Sequence, residues 1–340
     1  MPKDELFADM SEDQLLDVFC EIFYHELDSW FSADIACCDV CYDEFLEKWP
    51  AIYSRDIEFQ KSAIDLSTFY NGSRLEEIFT EEEFNRLIKE INCPRCGSQL
   101  YANIWPYNMC FELPDDFEDI LDEIGELANK TPFLILSHTF AMDVYKEIKK
   151  IGETAKKSPL NGTYYRARRY EKNIDYEESD FSHPPKSKTK EGRYNHAGKP
   201  VIYLGDQVET CFCELRKPQE GLAVAEISIK NELKVLDLIE NSLVEKSVLN
   251  TIVWSSLMSS PVEGEGWYKP HYIFTRFVAD CAIDAGFDAI KYPSVRFGEG
   301  YNLVLLESQT ICNDVSISKP FIYYDGKQKI VDLINKPTSL

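Results

Sequence analysis

One stretch restricts the fold more than any other: residues Gly192 to Glu214, which read GRYNHAGKPVIYLGDQVETCFCE. Gly192 and Gly198 punctuate a loop. Val201, Ile202, Tyr203 and Leu204 form a short apolar run of strand-forming residues, and Gly205-Asp206 breaks it. Val208, Cys211, Phe212 and Leu215 then recur at helical spacing. The order loop, strand, turn, helix places Tyr203 at a strand end and Glu214 on the helix behind it. Arg193, Tyr194 and Asn195 lie on the loop just before. A carboxylate, an aromatic ring and a guanidinium at one strand end suit an anionic, aromatic ligand.

The front of the chain carries a second constraint. Cys38 and Cys41 form one Cys-x-x-Cys turn, and Cys93 and Cys96 form another. Such turns hold two thiolates close enough to share a tetrahedral Zn²⁺. The interval from Cys41 to Cys93 is far longer than the roughly 15–20 residues of a compact zinc ribbon. Helical patterns fill it: one from Phe45 to Trp49, another opened by the capping box Thr80 to Glu83 and continued by Phe84, Leu87, Ile88 and Ile91. A structural zinc on Cys38, Cys41, Cys93 and Cys96 is the expectation. Four buried cysteines without metal, and a catalytic zinc, are the alternatives, and Cys37 competes with Cys38 as ligand. An earlier capping box, Ser11 to Gln14, starts a helix with Leu15, Phe19, Phe23 and Leu27 on one face.

No apolar run approaches the length of a membrane span. The first residues lack the basic and apolar regions of a secretory leader, so a cytoplasmic location with reduced thiols is expected. With 59 acidic against 36 basic residues the net charge is −23. That argues against a broad nucleic-acid footprint, but not against a small anion bound by a few local arginines. No Gly-x-Gly-x-x-Gly or Walker pattern occurs, so a nucleotide is not expected on a Rossmann helix terminus. The broken polar segment from Gly152 to Gly162 marks a boundary between a first half, 1–155, and a second, 156–340.

In the second half, Tyr164 to Arg168 reads as a strand with Arg166 and Arg168 on one face. Alternation alone leaves two readings, a diphosphate or ribose clamp and a solvated edge strand. Residues 170–191 form a long polar loop over the site. Residues 240–271 are a helix-and-loop insertion with no chemical assignment. Tyr272 to Ala285 is helical, Gly286 suits its cap, and Phe287 to Tyr292 is a strand ending at Pro293-Ser294. Asn302 to Glu307 is a closing strand. Cys211, Cys213, Cys281 and Cys312 read as small hydrophobes.

Four of these motifs, taken together, resemble the RES-domain family, bacterial NAD-degrading toxins named for a recurrent Arg, Glu and Ser. The residues that carry the resemblance are Tyr165-Arg166; Gly192-Arg193-Tyr194-Asn195 with Gly198; Tyr203-Leu204 with Glu214 eleven residues after Tyr203; and Tyr292-Pro293-Ser294 with Gly298 and the strand from Asn302 to Leu306. They span roughly residues 160–310. The first half is more loosely similar to the helical, cysteine-bearing N-terminal extension found in some members and linked to HEPN domains. Because no histidine follows an arginine at the HEPN spacing, ribonuclease activity is not expected.

The resemblance implies an α+β chain: a mainly helical zinc-bearing N-terminal domain, then a mixed α/β RES domain with a split, bent sheet related to ADP-ribosyltransferase toxins. It implies cleavage of the nicotinamide–ribose bond of NAD⁺, with phosphate, water or a protein as acceptor. It assigns catalysis to Arg166, Tyr203, Glu214 and Ser294, and substrate binding to Arg168, Arg193, Tyr194 and Asn195. Glu214 stabilises the ribose cation, Tyr203 bounds the nicotinamide ring, and Ser294 bonds its amide or orients a ribose hydroxyl. For Tyr203 the plain structural reading is core packing; for Ser294 it is a turn. The implied partners are NAD⁺ and an antitoxin or regulatory protein. The alternative function is a nucleotide-sensing scaffold without turnover.

Overall fold

The computed structural model describes residues 7, 10–109, 111–114, 116–241, 247–259, 272–306, 315–324 and 327–329. Two compact units make up the chain, residues 1–110 and 111–340.

The first unit is helical around a small sheet. Helix α1 (Glu12–Phe31) opens at Ser11, whose hydroxyl accepts from the Gln14 amide while the Gln14 side chain accepts from the Ser11 amide. This reciprocal cap satisfies two amides that the first turn leaves open. Its buried face, Phe19, Phe23 and Leu27, meets Phe69, Phe79 and Phe84 in edge-on aromatic contacts. Helices α2 (Tyr42–Lys48), α3 (Pro50–Arg55), α4 (Leu66–Gly72), α5 (Leu75–Ile78) and α6 (Glu81–Leu87) fill the interval between the two cysteine turns. The predicted capping box at Thr80 and Glu83 is present. A three-stranded antiparallel sheet, β1 (Ile35–Cys38), β2 (Ile64–Asp65) and β3 (Asn103–Pro106), in the order β1–β3–β2, was not anticipated. Its strands have two to four residues, too few for alternation to register.

The second unit opens with helices α7 (Phe117–Lys130) and α8 (Thr139–Thr154), joined by the 3₁₀ turn Pro132–Ser137. Helix α8 packs against a later helix of the same unit, Ile273–Asp284. The boundary expected at residue 155 thus falls inside the second compact unit, because the amphipathic pair α7–α8 buries its apolar face on the sheet-bearing half.

The strands that follow are β4 (Ser158–Pro159), β5 (Tyr164–Arg169), β6 (Ile202–Gly205), β7 (Leu222–Ile229), β8 (Glu232–Leu233), β9 (Val235–Asp237), β10 (Ala289–Pro293), β11 (Tyr301–Leu305), β12 (Val315–Ile317), β13 (Phe321–Tyr324) and β14 (Lys327–Lys329). Strands β4 and β8 pair with each other. The rest form one sheet in the order β14–β13–β7–β5–β6–β11–β10–β9, with β12 also on β7. Six residues of β5 pair with β7, from Tyr164 to Arg169, but β5 meets β6 only through Tyr165 and Gly205. The sheet is therefore nearly split into two halves at this point.

Helix α9 (Val208–Glu214) follows β6, and α10 (Leu238–Asn241), α11 (Val248–Trp254) and α12 (Ser256–Ser259) follow β9. Helix α13 (Ile273–Asp284) ends at Gly286, which takes φ +75° as a left-handed cap. Of the insertion expected over 240–271, residues 240–241 and 247–259 are described; Gly264, Gly266 and Trp267 lie outside the described residues, as does Cys312. Cys211 and Cys281 are buried, and Cys213 is half-buried. Among the described residues no helix is long and apolar enough to cross a membrane.

Candidate active site

Strand alternation divides the β6–β11–β10 half-sheet into two faces. Ile202, Leu204, Ala289, Leu303 and Leu305 point to one face and build an apolar core with Tyr164 and Ile227. Tyr203, Asn302 and Tyr292 therefore point to the other. Asn302 lies opposite Tyr292 on one side and opposite Gly205 on the other. Tyr165 and Ala167 share this second face, where they pack with Cys211 and Phe212 of α9. The helix thus lies over the face that carries Asn302, and Glu214 is its last residue.

Glu214 is half-buried. The Ser294 hydroxyl donates to its Oε1 at 2.7 Å, and Asn302 Nδ2 donates to the same oxygen at 2.9 Å. Ser294 is fully buried, and its oxygen accepts from the amides of Arg296 at 3.2 Å and Phe297 at 3.1 Å. Its hydroxyl is spent on the carboxylate and sealed from solvent, so the expected contact between Ser294 and a ligand has no open path in this geometry. The sequence points to Glu214 and Ser294 as site residues but to Asn302 only as the start of the closing strand. An asparagine in a strand start carries no local signal; only the β6–β11–β10 register reveals it.

The loop before β6 is fastened from below. Tyr203 donates its hydroxyl to Asn195 Oδ1 at 3.0 Å and accepts from the Tyr194 amide at 2.8 Å. Asn195 Nδ2 donates to the carbonyls of Lys190 and His196. A Cβ on Gly192 would strike Asn195 Oδ1 and the Tyr203 hydroxyl, so only glycine permits this approach. Tyr203 and Asn195 are thus loop fasteners, with their polar atoms engaged inside the protein. Tyr194 is buried, its ring 4.5 Å from that of Tyr292. Burial pushes the Tyr194, Tyr203 and Tyr292 hydroxyls well above the usual phenol range, so all three stay neutral.

The arginines separate into two groups. Arg193 donates to the Met258 carbonyl, lies 5.1 Å over the Tyr272 ring, and its own carbonyl accepts from the Thr275 hydroxyl. Burial opposes its charge, but the phenol oxygens of Tyr194, Tyr272 and Tyr292 and the Glu214 carboxylate outweigh that and hold its pKa up. Arg193 therefore stays a cation. Arg166 and Arg168 pair with Ala225 and Ala223 in β7, so both leave the sheet on the face away from α9. There Arg166 donates to the carbonyls of Phe181 at 3.1 Å and Ser182 at 2.7 Å. Burial, together with Arg168, lowers its pKa to about 10, and it remains charged at neutral pH. Arg168 is exposed. The expected convergence of Arg166 with Tyr203, Glu214 and Ser294 is not what the register gives: Arg166 leaves β5 on the face away from α9, while Tyr203 and Asn302 share the face that α9 covers. Alternation had correctly joined Arg166 to Arg168, but it does not say which face of the sheet α9 covers.

A cavity of about 560 Å³ lies elsewhere in this unit, between the Pro132–Ser137 turn and α13, lined by Ile135, Leu136, Phe277 and Cys281 and rimmed by Glu191 and Arg276. It contains none of Glu214, Ser294 and Asn302. It is mainly apolar, and its acidic groups Asp280 and Asp284 are paired with His196 and with Tyr145 and Lys149.

In the first unit the two cysteine turns come together. Cys38, Cys41, Cys93 and Cys96 have sulfurs all within 4.8 Å of one another. Cys38 lies 3.9 Å from Cys41 and 3.7 Å from Cys96, and Cys41 lies 3.8 Å from Cys93. A tetrahedron of sulfurs around Zn²⁺ at about 2.3 Å has edges of about 3.8 Å, so the donor set fits that ion. Cys38, not Cys37, faces the cluster. The Gly97 amide closes the second turn on the Cys93 carbonyl, with Gly97 at φ +71°. Burial opposes a thiolate at Cys96, but hydrogen bonds from Ser98, with Cys41 and Cys38 adding to them, bring its pKa down to about 7.

Residues 163–321 match the family model described as the RES domain. Among solved structures, the chain is similar to the M. tuberculosis MbcT–MbcA toxin–antitoxin complex, with a TM-score of 0.37 and 14% identity over 53% of this chain and 93% of that one. No curated protein matches the chain. Residues 163–321 are a RES domain, and Arg193, Glu214, Ser294 and Asn302 all fall within it.

Proposed function

We propose that the RES domain cleaves the bond between nicotinamide and ribose in NAD⁺. The observation that carries this reading is a half-buried carboxylate, Glu214, with one oxygen held by Ser294 and Asn302. In this reaction the C1′–N bond breaks and its electron pair leaves with neutral nicotinamide. Positive charge then develops on the ribose as an oxocarbenium ion. A fixed carboxylate beside that carbon stabilises the cation and accepts from a ribose hydroxyl. Arg193 attracts the diphosphate. Phosphate adds directly at C1′, or water adds and gives up a proton. A protein side chain as acceptor makes the same chemistry an ADP-ribosyl transfer. Family membership supports an NAD-acting, toxin-type role.

The test is to incubate purified protein with NAD⁺, with and without phosphate, and separate the products. Nicotinamide with ADP-ribose marks hydrolysis; nicotinamide with a phosphorylated ADP-ribose marks phosphorolysis; intact NAD⁺ in both overturns the proposal. The antitoxin or regulatory partner expected from the family is part of this proposal. It is tested by asking whether co-expressed protein from a neighbouring gene copurifies and suppresses nicotinamide release.

For the first unit the reading is a structural Zn²⁺ held by Cys38, Cys41, Cys93 and Cys96. Four thiolate ligands leave no open position for substrate, so the metal's contribution is to folding.

A further inference from the structure

We propose that Asn302 is a positioning residue that, with Ser294, fixes Oε1 of Glu214 and makes Oε2 the oxygen a ligand meets. This rests on the NAD⁺-cleaving reading of the site. Both donors converge on Oε1, at 2.7 Å from Ser294 and 2.9 Å from Asn302. Among the described residues Oε2 accepts no hydrogen bond. A carboxylate oxygen that already accepts two hydrogen bonds is a poor acceptor for a third group, while its partner oxygen keeps its lone pairs. The ribose hydroxyl and the developing cation therefore meet Oε2.

Asn302 is suited to this by its place and its chemistry. It is 7% exposed, and its backbone lies in the middle of the sheet between Tyr292 and Gly205. Gly205 offers no side chain on that face, and a Cβ there would meet Cys211 Sγ at 2.8 Å, so the glycine lets α9 lie close over the sheet within reach of the amide. An amide donates without adding charge; a leucine of similar size offers no donor, and an aspartate sets a second negative charge against Glu214. Glu214 and Asn302 are 88 residues apart in the chain, so only the completed sheet brings them together. Each of Ser294 and Asn302 comes from a different strand end, which locks the carboxylate against rotation from two directions.

The test uses the full chain and the variants N302A and N302D, with kcat and KM for NAD⁺ read from nicotinamide release across pH 5 to 8. A hydrogen bond to a charged acceptor predicts that N302A lowers kcat roughly 10- to 100-fold while KM stays within about 3-fold. N302D is expected to be weaker still at neutral pH and to regain activity as the pH falls, because two facing carboxylates then share a proton. A merely structural asparagine gives no such acid recovery. Wild-type kcat in N302A, or an N302D profile parallel to the wild type, overturns the proposal; should N302A fail to fold, the near-isosteric N302D carries the test alone. A thermal double-mutant cycle with E214A reads the contact without activity. N302A is expected to lower Tm by about 2–4 °C in the wild type and by clearly less beside E214A. Equal shifts in both backgrounds overturn the proposal. A wild type that releases no nicotinamide sinks the functional reading instead, and the cycle then decides the Asn302–Glu214 coupling by itself.

Discussion

Ser294 and Glu214 are 80 residues apart in the chain, yet the fully buried serine hydroxyl donates to the half-buried glutamate carboxylate at 2.7 Å. Helix α9 delivers the acid and the end of β10 delivers the hydroxyl. Because the Ser294 oxygen also accepts from Arg296 and Phe297, its proton has one direction to point. In the proposed reaction Ser294 acts on Glu214, and through Glu214 on the ligand.

Removing that hydroxyl should therefore mimic a partial loss of the acid. S294A is expected to lower kcat roughly 10- to 100-fold with little change in KM, since a hydrogen bond to a charged group contributes about 1.5–3 kcal/mol. Nicotinamide-release kinetics check this. A variant with raised KM and intact kcat would mean that Ser294 touches substrate directly.

The two arginine positions should separate cleanly. R193K keeps a charge but loses the planar fork that rests on Tyr272 and reaches the Met258 carbonyl, so a large loss of kcat/KM is expected. R166K loses contacts to the Phe181 and Ser182 carbonyls on the far face. Its expected effect is faster proteolysis within residues 170–191 and a lower Tm, with kcat changed less than in R193K. The reverse order of kcat losses would return the catalytic role to Arg166.

Tyr203 is expected to act through the loop. Y203F removes a donor to Asn195 and an acceptor for the Tyr194 amide, both inside the protein. The expected cost is about 1–3 kcal/mol in unfolding free energy, because two buried groups lose their partner. KM for NAD⁺ should rise, since Arg193 sits on the same loop. Denaturant unfolding and steady-state kinetics on one preparation test both statements; unchanged stability with lost kcat would make Tyr203 a direct participant.

For the first unit, one Zn²⁺ per chain is expected on elemental analysis. C38S and C96S should lose the metal, while C37S should retain it because Cys37 lies outside the sulfur cluster. Metal-free protein should melt earlier, as structural zinc contributes directly to folding. A C38S variant that keeps full zinc occupancy would contradict the ligand set.

Much of this was legible in the chain. The run from Gly192 to Glu214 dictated a loop, a strand and a helix, and Ile202–Gly205 and Val208–Glu214 are that strand and helix. The paired cysteines predicted a four-thiol cluster, because two tight turns need only to meet. The capping boxes at Ser11 and Thr80 are local rules obeyed locally. What failed depends on distant pairing. Period-two alternation put Arg166 and Arg168 together but could not say that Tyr165 and Ala167 would face α9. Asn302 had no local signature, since its role exists only where β6, β11 and β10 lie side by side. Met258 and Tyr272, which hold Arg193, lie in or beside an insertion with no periodic pattern. Helices α7 and α8 were assigned to the front half by sequence order, but amphipathic faces pack where the sheet is.

The central claim is that Glu214 is the group on which bond cleavage turns. Its most direct measurement is the rate of nicotinamide release from NAD⁺ by the wild type and by E214Q, which preserves size and removes charge. The wild type should turn over, and E214Q should fall by roughly 100- to 1,000-fold, as for loss of one preorganised electrostatic group, with its melting temperature little changed. E214Q releasing nicotinamide at the wild-type rate would contradict the account.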